Sequence, residues 1–149
     1  MSIRRPPPMR RLLMMACLLL SATPSLAAEL VVGVTNIRSA DGTIGCLLFS
    51  AERGFPGDPA AAQARLSLPA RPAGVTCRFT GIAPGTYAVG VSHDANGNGR
   101  TDTNFFGIPT EDWGVSNNIR PGMRAPRFDE AALPVTEGPA WRIEVQLGR

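Results

Sequence analysis

The residues with the clearest chemical potential run from His93 to Asn118. At their centre stands Asp94-Ala95-Asn96-Gly97-Asn98-Gly99-Arg100-Thr101-Asp102. Asp94, Asn96, Asn98 and Asp102 carry oxygen at relative positions 1, 3, 5 and 9, with Gly99 at position 6. A calcium loop uses this spacing: alternate side chains turn inward, and the glycine takes the bend that returns the later ligands to the ion. Ca²⁺ takes about six to eight hard oxygens, which Asp and Asn supply. Arg100, at position 7, would contribute only its carbonyl. An EF-hand places a bidentate Glu at position 12; here that position is Phe105, and no amphipathic helix flanks the loop. A later acid must complete the shell, and Glu111 or Asp112 is nearest in sequence. The alternative is a metal-free Asx and Gly turn, since these are ordinary turn residues.

Other chemistry is sparse. His93 is the only histidine, which excludes a His-rich zinc or iron site. Beside Asp94 it invites a catalytic reading; a histidine closing a strand is more commonly a hydrogen-bonding structural residue. The chain has no Gly-x-Ser-x-Gly elbow and no His-Glu-x-x-His helix. Ser116 lies in the same long stretch with nothing to mark it as activated. Phe105, Phe106 and Trp113 either pin the loop to the core, the reading favoured here, or form a candidate ligand platform beside it. Asn117 and Asn118 suit Asx caps on the loop backbone.

The elements that position these residues are strands. Glu29 to Asn36 and Thr43 to Ser50 read as two strands, paired as a hairpin through Asp41-Gly42. Ala51 to Pro59 is a loop rich in Gly and Pro, anchored by Phe55. Ala60 to Ala64 is long enough for one helical turn. Ala64 to Pro69 alternates as a half-exposed strand, and Val75 to Thr80 alternates with Val75, Cys77 and Phe79 on one face. Pro84-Gly85 signals a type II turn. The strand after it sets Tyr87, Val89 and Val91 on one face, with Ala88 and Gly90 on the other. A tyrosine at such a corner commonly hydrogen-bonds backbone upstream. This strand runs directly into His93-Asp94, so the calcium-like loop hangs from a sheet end. Residues 94–122 form one long connection, a length that is uncommon unless functional or internally tied. Arg127 to Val135 reads as a short strand or bulged edge, and Trp141 to Leu147 as the last strand. Seven strands without a substantial helix predict an all-β, single antiparallel β-sandwich with Greek-key connections. The Pro-Gly corner and the strand after it resemble those of transthyretin-like and carboxypeptidase-regulatory-like sandwiches.

The 149 residues amount to one domain. Residues 1–28 are expected to be a secretory signal peptide: arginines 4, 5, 10 and 11, an apolar run from Leu12 to Leu20, then Ser25-Leu26-Ala27 as a cleavage site. Residues 29–149 then form the domain. All 15 basic residues are arginine, four of them in the leader; that leaves 11 against 12 acids, a net charge of −1. The positive charge of the whole chain thus belongs to the leader, and the remainder lacks the basic excess that nucleic acid requires. Cys46 and Cys77, an even pair in an exported chain and both in strand-like stretches, are expected to form a disulfide.

The stretch His93-Asp94-x-Asn96-x-Asn98-Gly99-x-x-Asp102-x-Asn104-Phe105-Phe106-Gly107-Ile108-Pro109, followed by Glu111-x-x-Gly114-x-Ser116-Asn117-Asn118, resembles the signature of the DUF2141 family. With its flanking strands the resemblance covers most of the chain after residue 28. It implies a secreted bacterial β-sandwich and no assigned activity. The expected function is a secreted or periplasmic, calcium-stabilised binding or structural module of the cell envelope, without catalysis. The metal ligands expected are Asp94, Asn96, Asn98, Arg100, Asp102 and Glu111. The partner is an envelope protein or glycan, and the mature chain is expected to be a monomer without a transmembrane segment. The alternative is a small metal-assisted envelope hydrolase using His93 and Asp94.

Overall fold

A computed structural model describes Met1 and residues 27–149, so residues 2–26 of the expected leader lie outside the described residues. Eight strands form two sheets. They are β1 (Ala28–Thr35), β2 (Thr43–Phe49), β3 (Ala64–Pro69), β4 (Val75–Ile82), β5 (Gly85–Asp94), β6 (Trp113–Val115), β7 (Leu133–Val135) and β8 (Trp141–Gln146), with one helical turn, α1 (Phe128–Ala131). The smaller sheet has the order β4-β1-β8. The larger has the order β3-β2-β5-β6, with β7 also on β5. Among the described residues no helix is long and apolar enough to cross a membrane.

The all-β sandwich expected from sequence is what forms. Period-two alternation puts Leu30, Val32 and Val34 of β1 against Ile44, Cys46 and Leu48 of β2, and against Tyr87, Val89 and Val91 of β5, in one core between the sheets. Full burial of each large side chain, Leu30, Ile44 and Leu48 among them, stabilises the fold by roughly 1.5–3 kcal/mol. Cys46 and Cys77 are bonded, joining β2 of one sheet to β4 of the other through the centre of this core.

Local expectations fare unevenly. The β1–β2 hairpin is corrected: β1 lies between β4 and β8, while β2 belongs to the other sheet, between β3 and β5. Asn36 adopts a left-handed φ of 61° that turns the chain, and Ile37 drops into the core, so residues 36–42 cross between sheets. Gly42 has a turn-like φ of 65°, and a Cβ there would lie 1.9 Å from the Asp94 carbonyl oxygen. Glycine therefore serves a close approach of the crossing segment to the end of β5. The type II turn at Pro84-Gly85 is also corrected, because Gly85 lacks the positive φ it demands. The link passes from sheet to sheet instead. The tyrosine corner is present, with Tyr87 Oη donating to Ala83 O at 2.7 Å. Residues 60–63 form a turn and a bend rather than a helix, and Ala64 already belongs to β3. Pairing is not wholly antiparallel, since β8 runs parallel to β1.

The long connection after β5 is not structureless. It holds β6, three residues paired with Gly90, Val91 and Ser92, and then a 3₁₀ turn at Ser116–Asn118. Residues 127–135 hold α1 and β7 in place of a single strand. β6 and β7 share one edge of β5, β6 over residues 90–92 and β7 over residues 85–87. Between them the Val89 N–H donates to Ser116 Oγ at 2.9 Å, and the same hydroxyl donates to Ala131 O at 2.6 Å. The serine thus fills the gap in the ladder and ties α1 to the sheet. A second small core of Ala88, Val115 and Ala131, with Phe55, Trp113, Ile119 and Phe128 against it, covers half of the larger sheet's outer face.

Candidate functional site

Strand β5 delivers His93 and Asp94 to one end of the larger sheet, and the calcium-like loop begins there. Both oxygens of the buried Asp94 carboxylate accept backbone N–H groups, Oδ1 from Asn98 at 3.0 Å and Oδ2 from Gly99 at 2.7 Å. Asn96 Oδ1 accepts from Asn98 N, and Asn98 Oδ1 from Arg100 N, each at 3.0 Å. These are successive Asx turns, and they wind the loop so that alternate side chains face inward. Gly97 and Gly99 supply φ values of 74° and 79°. Because each amide oxygen already accepts a backbone N–H, the amide nitrogens must face elsewhere. They donate to Asp102, Asn96 Nδ2 to Oδ2 at 2.6 Å and Asn98 Nδ2 to Oδ1 at 2.9 Å. The Asn98 and Asn96 donors, with the Arg100 guanidinium 3.6 Å away, hold the Asp102 carboxyl below the usual aspartate range.

Glu111 closes the loop. Its Oε1 accepts from Ala95 N at 3.1 Å and its Oε2 from Asp102 N at 3.0 Å, pinning the loop's two ends to one carboxylate. Three acids, Asp94, Asp102 and Glu111, thus gather on one loop with Asn96 and Asn98. Each carboxylate oxygen keeps lone-pair capacity beyond the single N–H it accepts, and hard oxygens of this kind suit Ca²⁺. Among the described residues no three acidic, His or Cys side chains already form a preset metal cluster. The reason lies in the bonds just described: Asp94 and Glu111 aim at backbone N–H groups, and Asp102 aims at two amides.

The remaining sequence candidates separate. Asp112 leaves the loop; it is 5% exposed, flanked by Arg38 Nε at 3.2 Å and Arg149 Nε at 3.6 Å. His93 is 4% exposed, and its Nε2 pairs with Asp41 O at 2.8 Å. A carbonyl only accepts, so Nε2 carries the proton, and the ring ties the crossing segment to β5. Phe105 and Phe106 do not pin the loop. They are 97% and 82% exposed and meet only edge to face, at 5.5 Å between ring centres. Ile108 beside them is exposed too. Asn104 explains this, since its Oδ1 accepts from Phe106 N and Ile108 N and folds a tight tip that projects away from the sandwich. Trp113 alone of the three aromatics packs on the sheet, with the Arg120 guanidinium 5.1 Å from its ring centre.

Sequence reasoning missed a groove. The half of the larger sheet's outer face left uncovered by the second core forms a cavity of about 460 Å³. Its floor is made of small residues. Ser67, Gly45, Ser92 and Trp113 align across β3, β2, β5 and β6 in one row, and Leu47 and Gly90 belong to the next. Pro56, Gly57 and Pro59 wall one end, and Gly99, Arg100 and Thr101 of the calcium-like loop wall the other. The alternation of small residues in three strands was the available signal, legible only once strand order is known.

A family model described as "Uncharacterized protein conserved in bacteria (DUF2141)" matches residues 32–142. No curated protein and no solved structure matches the chain.

Proposed function

The chain belongs to the DUF2141 family, and on that premise we propose that it is an exported β-sandwich module that binds an envelope protein or glycan without catalysis, with calcium stabilising its 94–111 loop. The observation that carries this reading is the gathering of Asp94, Asp102 and Glu111, with two Asn oxygens, on a single loop that forms one wall of an open groove. A loop of this length has little apolar anchorage of its own, since Phe105, Phe106 and Ile108 are exposed. An ion would supply the missing constraint, with side-chain oxygens from Asp94, Asn96, Asn98, Asp102 and Glu111 and the carbonyl of Arg100. To admit it, Asp102 exchanges two amide donors for the cation. That exchange and the absence of a position-12 Glu keep affinity modest, on the order of 10⁻⁴–10⁻³ M.

The leader expected from sequence and the Cys46–Cys77 disulfide support export to an oxidising compartment. The surroundings of His93 support a structural role, because among the described residues its ring hydrogen-bonds a backbone carbonyl and no side chain.

Thermal unfolding tests the reading. Calcium at about 100 times its dissociation constant adds roughly 2.7 kcal/mol of stability when it binds only the folded chain. The midpoint should rise with millimolar calcium and fall back with chelator. Asp94→Ala should lose that response, and magnesium should substitute poorly because it prefers a smaller shell with retained waters. A melting curve indifferent to calcium, with no heat in calorimetry, would leave the loop as a set of Asx turns and refute the proposal.

A further inference from the structure

We infer that the outer-face groove is a binding site for an acidic saccharide: a chain of polyhydroxylated rings bearing carboxylates. The inference rests on the binding-module reading and goes beyond it by naming the site and the ligand's chemistry.

The floor sets the shape. Ser67, Gly45, Ser92 and Trp113 lie in register across four adjacent strands, and three strand spacings of ~4.8 Å make a row ~14 Å long. Glycine in the middle keeps that row flat, and hydroxyls stand on both sides of it. The Pro56–Pro59 loop lies directly on the neighbouring row, because a Cβ on Gly90 would sit 2.1 Å from Pro56 O. The cavity volume of about 460 Å³ falls inside the range of about 300–1,000 Å³ usual for small-ligand sites.

The lining sets the chemistry. Serine hydroxyls donate and accept, as sugar hydroxyls do in return. Trp113 offers an indole at the end of the row, held in place by Arg120, which donates to the Trp113 and Gln146 carbonyls. Two guanidiniums line the cavity, Arg100, which pairs with Asp102 at 3.6 Å, and Arg65, while the one carboxylate of the lining, Asp94, has both oxygens engaged by backbone N–H groups. Among the described residues Arg65 has no ion pair. A planar, unpaired guanidinium at the edge of a hydroxyl-lined trough fits a carboxylate in bidentate fashion. Leu47, Pro56, Pro59 and Trp113 add apolar surface to the lining, which suits the carbon faces of sugar rings while the hydroxyls and Arg65 meet their polar edges.

The test is a titration of the purified, exported protein with trigalacturonate and with maltotriose, its uncharged counterpart in size, followed by the Trp113 indole N–H resonance and by calorimetry. Trigalacturonate should bind saturably and shift the Trp113 signal, with maltotriose at least tenfold weaker. Arg65→Gln should lower affinity about tenfold, as expected for loss of a hydrogen bond to a charged group. Gly45→Val should abolish binding while leaving the melting midpoint in place. A Cβ at Gly45 meets nothing closer than Ser92 Oγ at 3.4 Å, and a β-branched residue suits a strand. No saturation by trigalacturonate at millimolar concentration, equal binding of maltotriose, or full binding by Gly45→Val would each overturn the inference. Running every titration in calcium and in chelator separates the two proposals. Saccharide binding without a calcium response refutes only the ion. A calcium response without saccharide binding refutes only the groove ligand.

Discussion

Replacing Ser116 by Ala should destabilise the protein by roughly 2–4 kcal/mol. The serine is fully buried, and its one hydroxyl serves two groups that have no alternative partner in the ladder. The Val89 N–H faces the gap between β6 and β7, where no strand residue stands opposite it. The Ala131 carbonyl closes α1 and points at the same hydroxyl. Alanine removes both bonds without making room for water. Each buried group left unsatisfied costs about 1–3 kcal/mol, which sets the combined range after some relaxation. For a domain of this size about 4 °C accompanies each kcal/mol, so the midpoint should fall by about 8–16 °C. Urea denaturation with the disulfide intact measures the difference, with Ser67→Ala on the exposed edge strand as a control expected to stay within about 0.5 kcal/mol. A Ser116→Ala loss below about 1 kcal/mol, or one equal to the control, would refute the idea that this hydroxyl bridges the gap.

Three further outcomes are expected. Cys46→Ala/Cys77→Ala should lose roughly 3–4 kcal/mol in the chain-entropy view of a crosslink with a sequence separation of 31, and the unreduced wild type should show no free thiol from this pair in denaturant. Tyr87→Phe should cost about 1 kcal/mol by removing the 2.7 Å bond to Ala83 O while the ring stays packed, as read from chemical denaturation. Glu130, drawn down to about 2 by the Arg124 guanidinium and by the Arg127 N–H, should titrate near that value in a carboxyl carbon NMR titration. Its folded pKa lies below its ordinary one, so its stabilisation is in place above about 4.5 and fades as pH falls towards about 2; Glu130→Gln should flatten that part of the acid stability curve.

Much of the site's local geometry was legible because local chemistry dictates it. Alternating Asp and Asn with interspersed glycine winds into Asx turns wherever it is placed, and Glu111 was found as the nearest acid. The Cys46–Cys77 pairing followed from an even pair of cysteines in two strand-like stretches, and the tyrosine corner from one residue just after a Pro-Gly corner. Strand order was not legible. Asp41-Gly42 carries the same signal whether the chain doubles back or crosses to the other sheet, and the choice falls to the burial of Ile37 and to the packing of Gly42 on Asp94. Strand β6 escaped notice because three residues with a central glycine show no periodicity. Phe105 and Phe106 misled for a different reason. Aromatic rings are ordinarily read as core, but the Asn104 caps fix a tip too tight to fold back. Sequence nearness alone could not separate Glu111 from the alternative Asp112, because Asp112's partners Arg38 and Arg149 are far from it in sequence.

The stretch from His93 to Asn118 therefore divides its polar residues between two kinds of work. At its start His93 fastens the crossing segment to β5. At its end Asn117 Nδ2 donates to the carbonyls of Glu130 and Ala132, while Asn118 donates to Glu144 O and accepts from Gln146 N, so one side chain extends the free edge of β8. Both asparagines hold left-handed φ values, 61° and 52°, which Asn tolerates better than most residues. These are long-range ties rather than the local caps that Asn-Asn suggested. The middle, from Asn96 to Thr110, is held to the sandwich by the Asp94 carboxylate at the end of β5 and is otherwise largely exposed. The proposed binding role would use that division, because rigid ends let the middle present groups at fixed positions without a core beneath them. Loosening an end should therefore weaken ligand and ion together, while altering Arg65 across the groove should weaken the ligand alone.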